Sequence, residues 1–325
     1  MKIAVLYQAH EPPAVNGLRK PMKPGGYRDS GADIAYCLRE HGIEVAVPAA
    51  APDLYNDVDW VFPDTADGIR AALAAGADTL WLNTVLYAGH PAEQFTGVYA
   101  VGQRPRDAAK YDDKFAVNAE LRKRGFPVVL SQTIGAGRLY TGSFPCIVKP
   151  IRGRGSQGVV RCNTPADLAQ TRDTLLAAGI YGSPLMAEPY LPGQEITVSV
   201  FPDGTSLPIA ERFAQKNGIA PYNGDVPVTE NSRAVLHETD ALRTIRRACE
   251  QAVTVLDLKG LVRIDCRAAA DGTYYMFDFN PKPNLTGAAR PHRRNQNCLT
   301  MISAAAQGWT YFDLLHKMLE TRWQL

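Results

Sequence analysis

Arg263, Asp265, Asp278 and Asn280 stand in two β-like runs, Leu261-Val262-Arg263-Ile264-Asp265-Cys266-Arg267 and Tyr274-Tyr275-Met276-Phe277-Asp278-Phe279-Asn280, which flank an Asp271-Gly272 pair. Asp-Gly between such runs is a strong hairpin signal, because a type I′ turn needs φ > 0 at both central residues. With Asp271 and Gly272 as a two-residue loop, Ala270 pairs with Thr273, Asp265 falls opposite Asp278, and Arg263 falls opposite Asn280. Alternation puts these four side chains on one face and Val262, Ile264 and Cys266 on the other. Directly opposed side chains lie roughly 5 Å apart at Cβ, where two like charges destabilise the sheet. Two facing carboxylates therefore call for a cation between them. Carboxylate plus amide oxygen is hard-ligand chemistry, suited to Mg²⁺ bridging to a phosphate. The same residues also read as a solvated sheet face on which an arginine neutralises the acids. The hairpin by itself leaves both readings open.

A second feature is the run Arg152-Gly153-Arg154-Gly155-Ser156-Gln157-Gly158, directly after the strand-like Cys146-Ile147-Val148-Lys149-Pro150. Glycines let backbone N–H groups curl around an anion, and the basic residues add charge. It is not a Walker loop, since the lysine precedes the glycines and no helix follows directly. The alternative is a flexible hairpin tip. The third feature is Glu188-Pro189-Tyr190-Leu191 with Glu195 after it. It could read an adenine amino group and then a ribose, or be a strand-to-loop junction with two exposed acids.

These residues need a scaffold. Residues 1–100 alternate strands (3–7, 45–47, 79–83) with helices (29–41, 66–75), the pattern of a parallel α/β unit. Pro105 and Arg106 mark a boundary. Residues 106–124 read as one helix, stopped by Gly125 with Pro127 beyond. A helix over 165–178 has Asn163 or Thr164 as cap. A second hairpin, 195–201 with 205–212, turns at Asp203-Gly204, and helices follow over 241–256 and 309–319. Three units result: 1–104, 105–188 and 189–325.

The chain has 325 residues and a net charge of +2, which excludes a broad polyanion-binding surface, and its basic residues lie in short loops rather than one long stripe, which argues against nucleic-acid binding. No apolar run approaches the roughly 20 residues of a membrane span. The N-terminus reads as a first strand rather than a signal peptide. The six cysteines are scattered without a C-x-x-C pair and read as reduced, buried thiols of a cytoplasmic protein.

Together the motifs resemble the ATP-grasp superfamily, most closely the D-alanine–D-alanine ligase-like carboxylate–amine ligases. The resemblance is dense over residues 114–283. It rests on Asp113-Lys114 entering a helix, Val148-Lys149-Pro150 with the glycine loop, Glu188, Leu191, Gly193 and Glu195, Arg263-Ile264-Asp265, and Asp278-Phe279-Asn280-Pro281-Lys282-Pro283. It implies an N-terminal α/β domain followed by two α+β subdomains that clasp ATP. Lys114 and Lys149 would hold phosphates, and Ser156 with the loop amides would close over them. Glu188 and the Leu191 backbone would read adenine, and Glu195 the ribose. Asp265, Asp278 and Asn280 would hold one or two Mg²⁺, with Mn²⁺ as an alternative. Arg263 would stabilise developing charge. Lys216 is either a further γ-phosphate contact or a surface lysine. The implied reaction forms an acyl phosphate and ADP, after which an amine displaces phosphate to form a peptide or amide bond in a biosynthetic pathway. The partners are then small-molecule carboxylates and amines, with dimerisation through the first domain.

The chain departs from the family pattern in several places. Asp278 stands where a Glu is usual, Asn284 replaces a turn glycine, and Gly155 replaces a loop serine. The loop 8–26 is long and basic, with Arg19, Lys20 and Lys23, and Glu11 is its only acid. The stretch Arg290-Pro291-His292-Arg293-Arg294-Asn295 is basic where an acceptor pocket should lie. These changes argue against D-Ala–D-Ala as the product and favour a substrate with extra negative charge or a different amino acid. Both basic loops also read as solvated surface. His90 and Glu93, after a strand end, are substrate contacts or an exposed turn. The other readings are a ligase with a thiol or intramolecular acceptor, and a nucleotide-binding regulator without turnover. The intact metal set speaks against the regulator.

Overall fold

The run Ile3-Ala4-Val5-Leu6 has no polar alternation, so a strand built from it must be covered on both faces, as in a parallel sheet. In the computed structural model, which describes residues 1–135, 137–221 and 227–325, it forms the strand Lys2–Tyr7. This strand pairs in parallel with Thr79–Asn83, in the register Ile3↔Thr79 to Tyr7↔Asn83, and with Glu44–Val45 and Phe62–Pro63. Ile3 and Val5 face the helices Arg28–Glu40 and Tyr311–Glu320, whereas Ala4 and Leu6 face the helix Ala66–Ala74. Tyr99–Val101 extends the sheet, and Trp323–Gln324 closes it antiparallel. The C-terminal helix and strand thus complete the core of the domain in which the chain begins.

Two antiparallel sheets lie between. One has the order Gln132–Ile134, Leu185–Pro189, Cys146–Pro150, Val160–Cys162. It is backed by the helix Pro165–Ala177, which starts at Thr164 with a capping box to Asp167. The other has the order Ser232–Ala234, Ala210–Arg212, Glu195–Val200, Val262–Ala268, Tyr274–Asn280. Its buried face, Ile196, Val198, Val262, Ile264 and Cys266, packs on Leu242, Ile245, Cys249 and Val253 of the helix Asp240–Val255. Each such side chain removed from water contributes about 1.5–3 kcal/mol, which anchors the opposite, polar face in position. All six cysteines are free and buried. Among the described residues, no helix is long and apolar enough to cross a membrane.

Two expectations need correction. The segment 106–124 is two helices, Pro105–Tyr111 and Lys114–Lys123. Asp113 is a strong N-cap and a poor interior helix residue, and its carboxylate accepts from the Ala116 amide at 2.8 Å. The chain therefore restarts at Lys114, whose amide donates to the Ile151 carbonyl at 3.3 Å.

The hairpin turn is the other. Ala269 N donates to Thr273 O at 2.8 Å, Gly272 N to Ala269 O at 3.1 Å, and Gly272 has φ 84°. The loop is thus three residues ending in a left-handed glycine. On the turn side the pairs are Ala268↔Tyr274, Arg267↔Tyr275 and Cys266↔Met276. A bulge at Phe277 then restores Asp265↔Asp278 and Arg263↔Asn280. The two one-residue offsets cancel at the acids.

Candidate active site

Cross-strand pairing brings Arg263, Asp265, Asp278 and Asn280 to one face, as the alternation predicts, and extends that face to Arg267. Arg263 grips Asp265 with two hydrogen bonds, Nε to Oδ1 at 2.9 Å and Nη2 to Oδ2 at 3.1 Å. Thr197 donates to Asp265 Oδ1 at 2.7 Å, and Asn280 Nδ2 to Oδ2 at 3.3 Å. Asp278 pairs with Lys114 at the start of its helix. Burial pushes the Asp278 carboxyl up, but the charges of Lys114, Lys149 and Arg263 outweigh it and hold the group below the usual carboxylate range.

Lys149 reaches in from the other sheet. Its Nζ donates to the Phe277 carbonyl at 2.7 Å and lies 2.7 Å from Glu188 Oε2. Glu188 also accepts from Ser131 Oγ at 2.7 Å and Asn118 Nδ2 at 3.1 Å, and it is buried in the cleft. The acid expected to read adenine is thus already the hub of a hydrogen-bonded cluster. Glu195 accepts from Gln215 at 2.7 Å and lies 3.5 Å and 3.6 Å from Arg212 and Arg267. Burial nevertheless raises its pKa. Leu191 and Ser156 line the same cleft. Gly155 and Ser156 both adopt left-handed backbone, with φ 56° and 62°, which curls the loop over the cleft. Lys216 is not brought to the acids: it faces a neighbouring groove with Ser156 and Gln157.

The cleft opens into a second cavity of about 450 Å³, which shares Arg154, Gly155, Arg263 and Asn280 with it. Lys282 lines this cavity. Burial, together with the neighbouring cations Lys23 and Lys20, pulls its pKa well below the lysine range. The basic loops behave differently from either expectation. Arg290 is fully buried and pairs with Asp33 at 2.9 Å and Asp57 at 2.7 Å, while Arg293 pairs with Asp33 at 2.8 Å. Their charge ties the C-terminal segment to the first domain, and Asn295, Gln296 and Asn297 line the cavity instead. Lys20 pairs with Asp112, and Glu11 accepts from the Met22 amide at 3.3 Å. Neither His90 nor Glu93 lines these cavities: His90 is buried against Asp64 at 3.2 Å, and Glu93 caps Gly89 at 2.8 Å.

Sequence reasoning missed Arg267 and Lys282, and it named Arg154 only as one of the basic residues of the glycine loop. The alternation that selected Arg263 and Asp265 already pointed to Arg267. Lys282 carried no periodic signal, because it lies just after the strand Tyr274–Asn280.

Among the described residues, no cluster of three or more His, Cys, Asp or Glu forms a metal cage. Two carboxylates and an amide oxygen, completed by phosphate oxygens and water, are nonetheless the donors that Mg²⁺ takes. Asn280 donates through its nitrogen, which leaves its oxygen for a cation, and the buried, unpaired Nε and Nη1 of Arg154 suit a phosphate. The residues fit the nucleotide and its metal.

Two antiparallel sheets closing over one cleft beside a parallel α/β domain define an ATP-grasp fold. The model of the D-ala D-ala ligase C-terminus family matches residues 108–320, and the chain belongs to that family. It is 27% identical to a D-alanine–D-alanine ligase of Synechococcus sp. (strain JA-3-3Ab) over 76% of each chain. It is 30% identical to that of Anaeromyxobacter dehalogenans (strain 2CP-1 / ATCC BAA-258), over 61% of this chain and 60% of that one. The crystal structure of a Bacillus anthracis D-alanine–D-alanine ligase complexed with ATP superposes with a TM-score of 0.70 at 20% identity, covering 99% of this chain and 97% of that one. The chain is an ATP-dependent carboxylate–amine ligase that forms a C–N bond and releases ADP. The names of these relatives do not support the expectation of a product other than D-Ala–D-Ala.

Proposed function

We propose that this chain activates an amino-acid-type carboxylate as an acyl phosphate in the cavity beside Arg263 and Asn280, then passes the acyl group to an amine. The observation that carries this reading is the placement of Arg263, Asp265, Asp278 and Asn280 on one sheet face where the nucleotide cleft meets the second cavity. Lys114, Lys149 and the 152–158 loop bind the phosphates of ATP. Mg²⁺ held by Asp265, Asp278 and Asn280 supplies charge neutralisation. Arg263 orients the reacting carboxylate and, once its oxygen has attacked the γ-phosphorus and ADP has left, stabilises the oxyanion formed as the amine adds. The loop excludes water that would hydrolyse the acyl phosphate. The division into 1–104, 105–188 and 189–325 follows this reading, with the C-terminal helix returning to the first unit.

The relatives' names make D-alanine the first substrate to test in both positions. ADP release from Mg-ATP is measured over amino acids and small carboxylates, with and without amines. Release that depends on a carboxylate and couples to amide formation supports the reading. AMP in place of ADP overturns the acyl-phosphate route, and a thiol or intramolecular product reassigns the acceptor.

A further inference from the structure

The wall of the second cavity that faces the first domain carries two lysines, Lys23 and Lys282, for which the reaction described so far has no use. Lys282 Nζ is buried and, among the described residues, has no hydrogen-bond or ion-pair partner. It stands 3.2 Å from the centre of the Tyr27 ring. A ring face compensates an ammonium only in part for lost water. A methionine would cover the ring without that penalty.

Arg154 enters the same cavity, with Nη2 on the Met22 carbonyl and with Nε and Nη1 buried and unpaired. Lys23 lies 5.2 Å from the Tyr27 ring centre. Asp29 is the one acid lining the cavity among the described residues, and it is shared by Lys23 at 3.2 Å and Arg293 at 3.4 Å. Lys23, Arg154 and Lys282 therefore face a single, already paired carboxylate, while Arg263 is held by Asp265. Tyr27, the platform beneath Lys282, is held at φ 66°. A left-handed aromatic residue is strained backbone of the kind found at ligand clamps.

Building on the ligase reading, we propose that Lys282 is a specificity residue, which with Lys23 takes a second carboxylate of the substrate. The substrate class is then an acidic amino acid or other dicarboxylate, with one carboxylate at Arg263 for activation and the other on Lys282. A buried ammonium distinguishes a carboxylate from its amide because only the charged partner satisfies it.

The test is titration calorimetry on the full chain loaded with Mg²⁺ and a non-hydrolysable ATP analogue. The probes are D- and L-aspartate and D- and L-glutamate, each beside its amide. At least one acid should bind about tenfold or more tighter than its amide. Lys282→Met should remove that preference while nucleotide binding persists, and Lys282→Arg should keep part of it. If Lys282→Met fails to take up nucleotide, Lys23→Met provides the second variant, with a weaker loss expected. The assignment is overturned if no acid is preferred, or if Lys282→Met binds the acid as wild type does. The ligase reading fails by a different result, an acid preference with no ADP release from any pool. ADP release with neutral amino acids alone keeps the ligase and overturns Lys282.

Discussion

Phe277 has no partner across its hairpin, and its carbonyl accepts from Lys149 Nζ at 2.7 Å. One bond therefore joins the bulge of the five-stranded sheet to the strand Cys146–Pro150 of the four-stranded sheet. A regular ladder would bond that carbonyl within its own sheet. The extra residue turns it outward, where it links the two halves of the cleft.

Deleting Phe277 should abolish activity. Deletion leaves Met276 against Cys266 and Asp278 against Asp265 in a regular ladder, so the acids keep their face, but Lys149 loses the outward-turned carbonyl that positions it in the cleft. Phe277→Ala keeps the register and should lose only ring packing, with KM for ATP raised by about tenfold or less. Steady-state kinetics on both variants checks this. Equal damage from the two would sink the role given to the bulge.

Asp265→Asn should lower kcat by about 100-fold or more, since it removes a cation ligand and the charge that Arg263 grips. Thr197 and Asn280 still surround the new amide, so the far-ultraviolet circular dichroism should match wild type, with a lower Tm. Turnover at the wild-type rate would remove Asp265 from the metal set.

Asp33→Ala should destabilise the chain by about 3–5 kcal/mol, because it strips the buried Arg290 of its fully buried carboxylate partner and leaves Arg293 only Asp29. Urea denaturation measures this. A change under about 1 kcal/mol would show that Asp57 alone satisfies Arg290.

Asp64 sets an acid limb to stability. Burial pushes its carboxyl up, but hydrogen bonds from His90, Thr84 and Ala9 outweigh it and hold the folded pKa below the ordinary value. A depressed carboxyl stabilises the fold above its unfolded pKa of roughly 3.9, and that contribution disappears as pH falls through the folded pKa. Asp64→Asn should lose about 1–3 kcal/mol at neutral pH and show a shallower fall below about pH 4. Parallel pH profiles for wild type and variant would refute the assignment.

The sequence by itself determined the strands whose apolar runs or alternation have no competing reading, such as Lys2–Tyr7, Thr79–Asn83 and Cys146–Pro150. It also determined that Arg263, Asp265, Asp278 and Asn280 share a face, because strand parity and a local turn are short-range properties. Even there the turn and the bulge departed from expectation by one residue each and cancelled, since a bulge has no signature in composition. Only the tertiary structure decided where the charges go. Arg290 and Arg293 look like exposed basic loop residues in the chain, yet Asp33, distant in sequence, takes them into a buried network. Lys282 looks like a turn lysine and becomes a buried cation over Tyr27. The partner of a long flexible side chain depends on which distant element packs beside it, and no local periodicity encodes that neighbour.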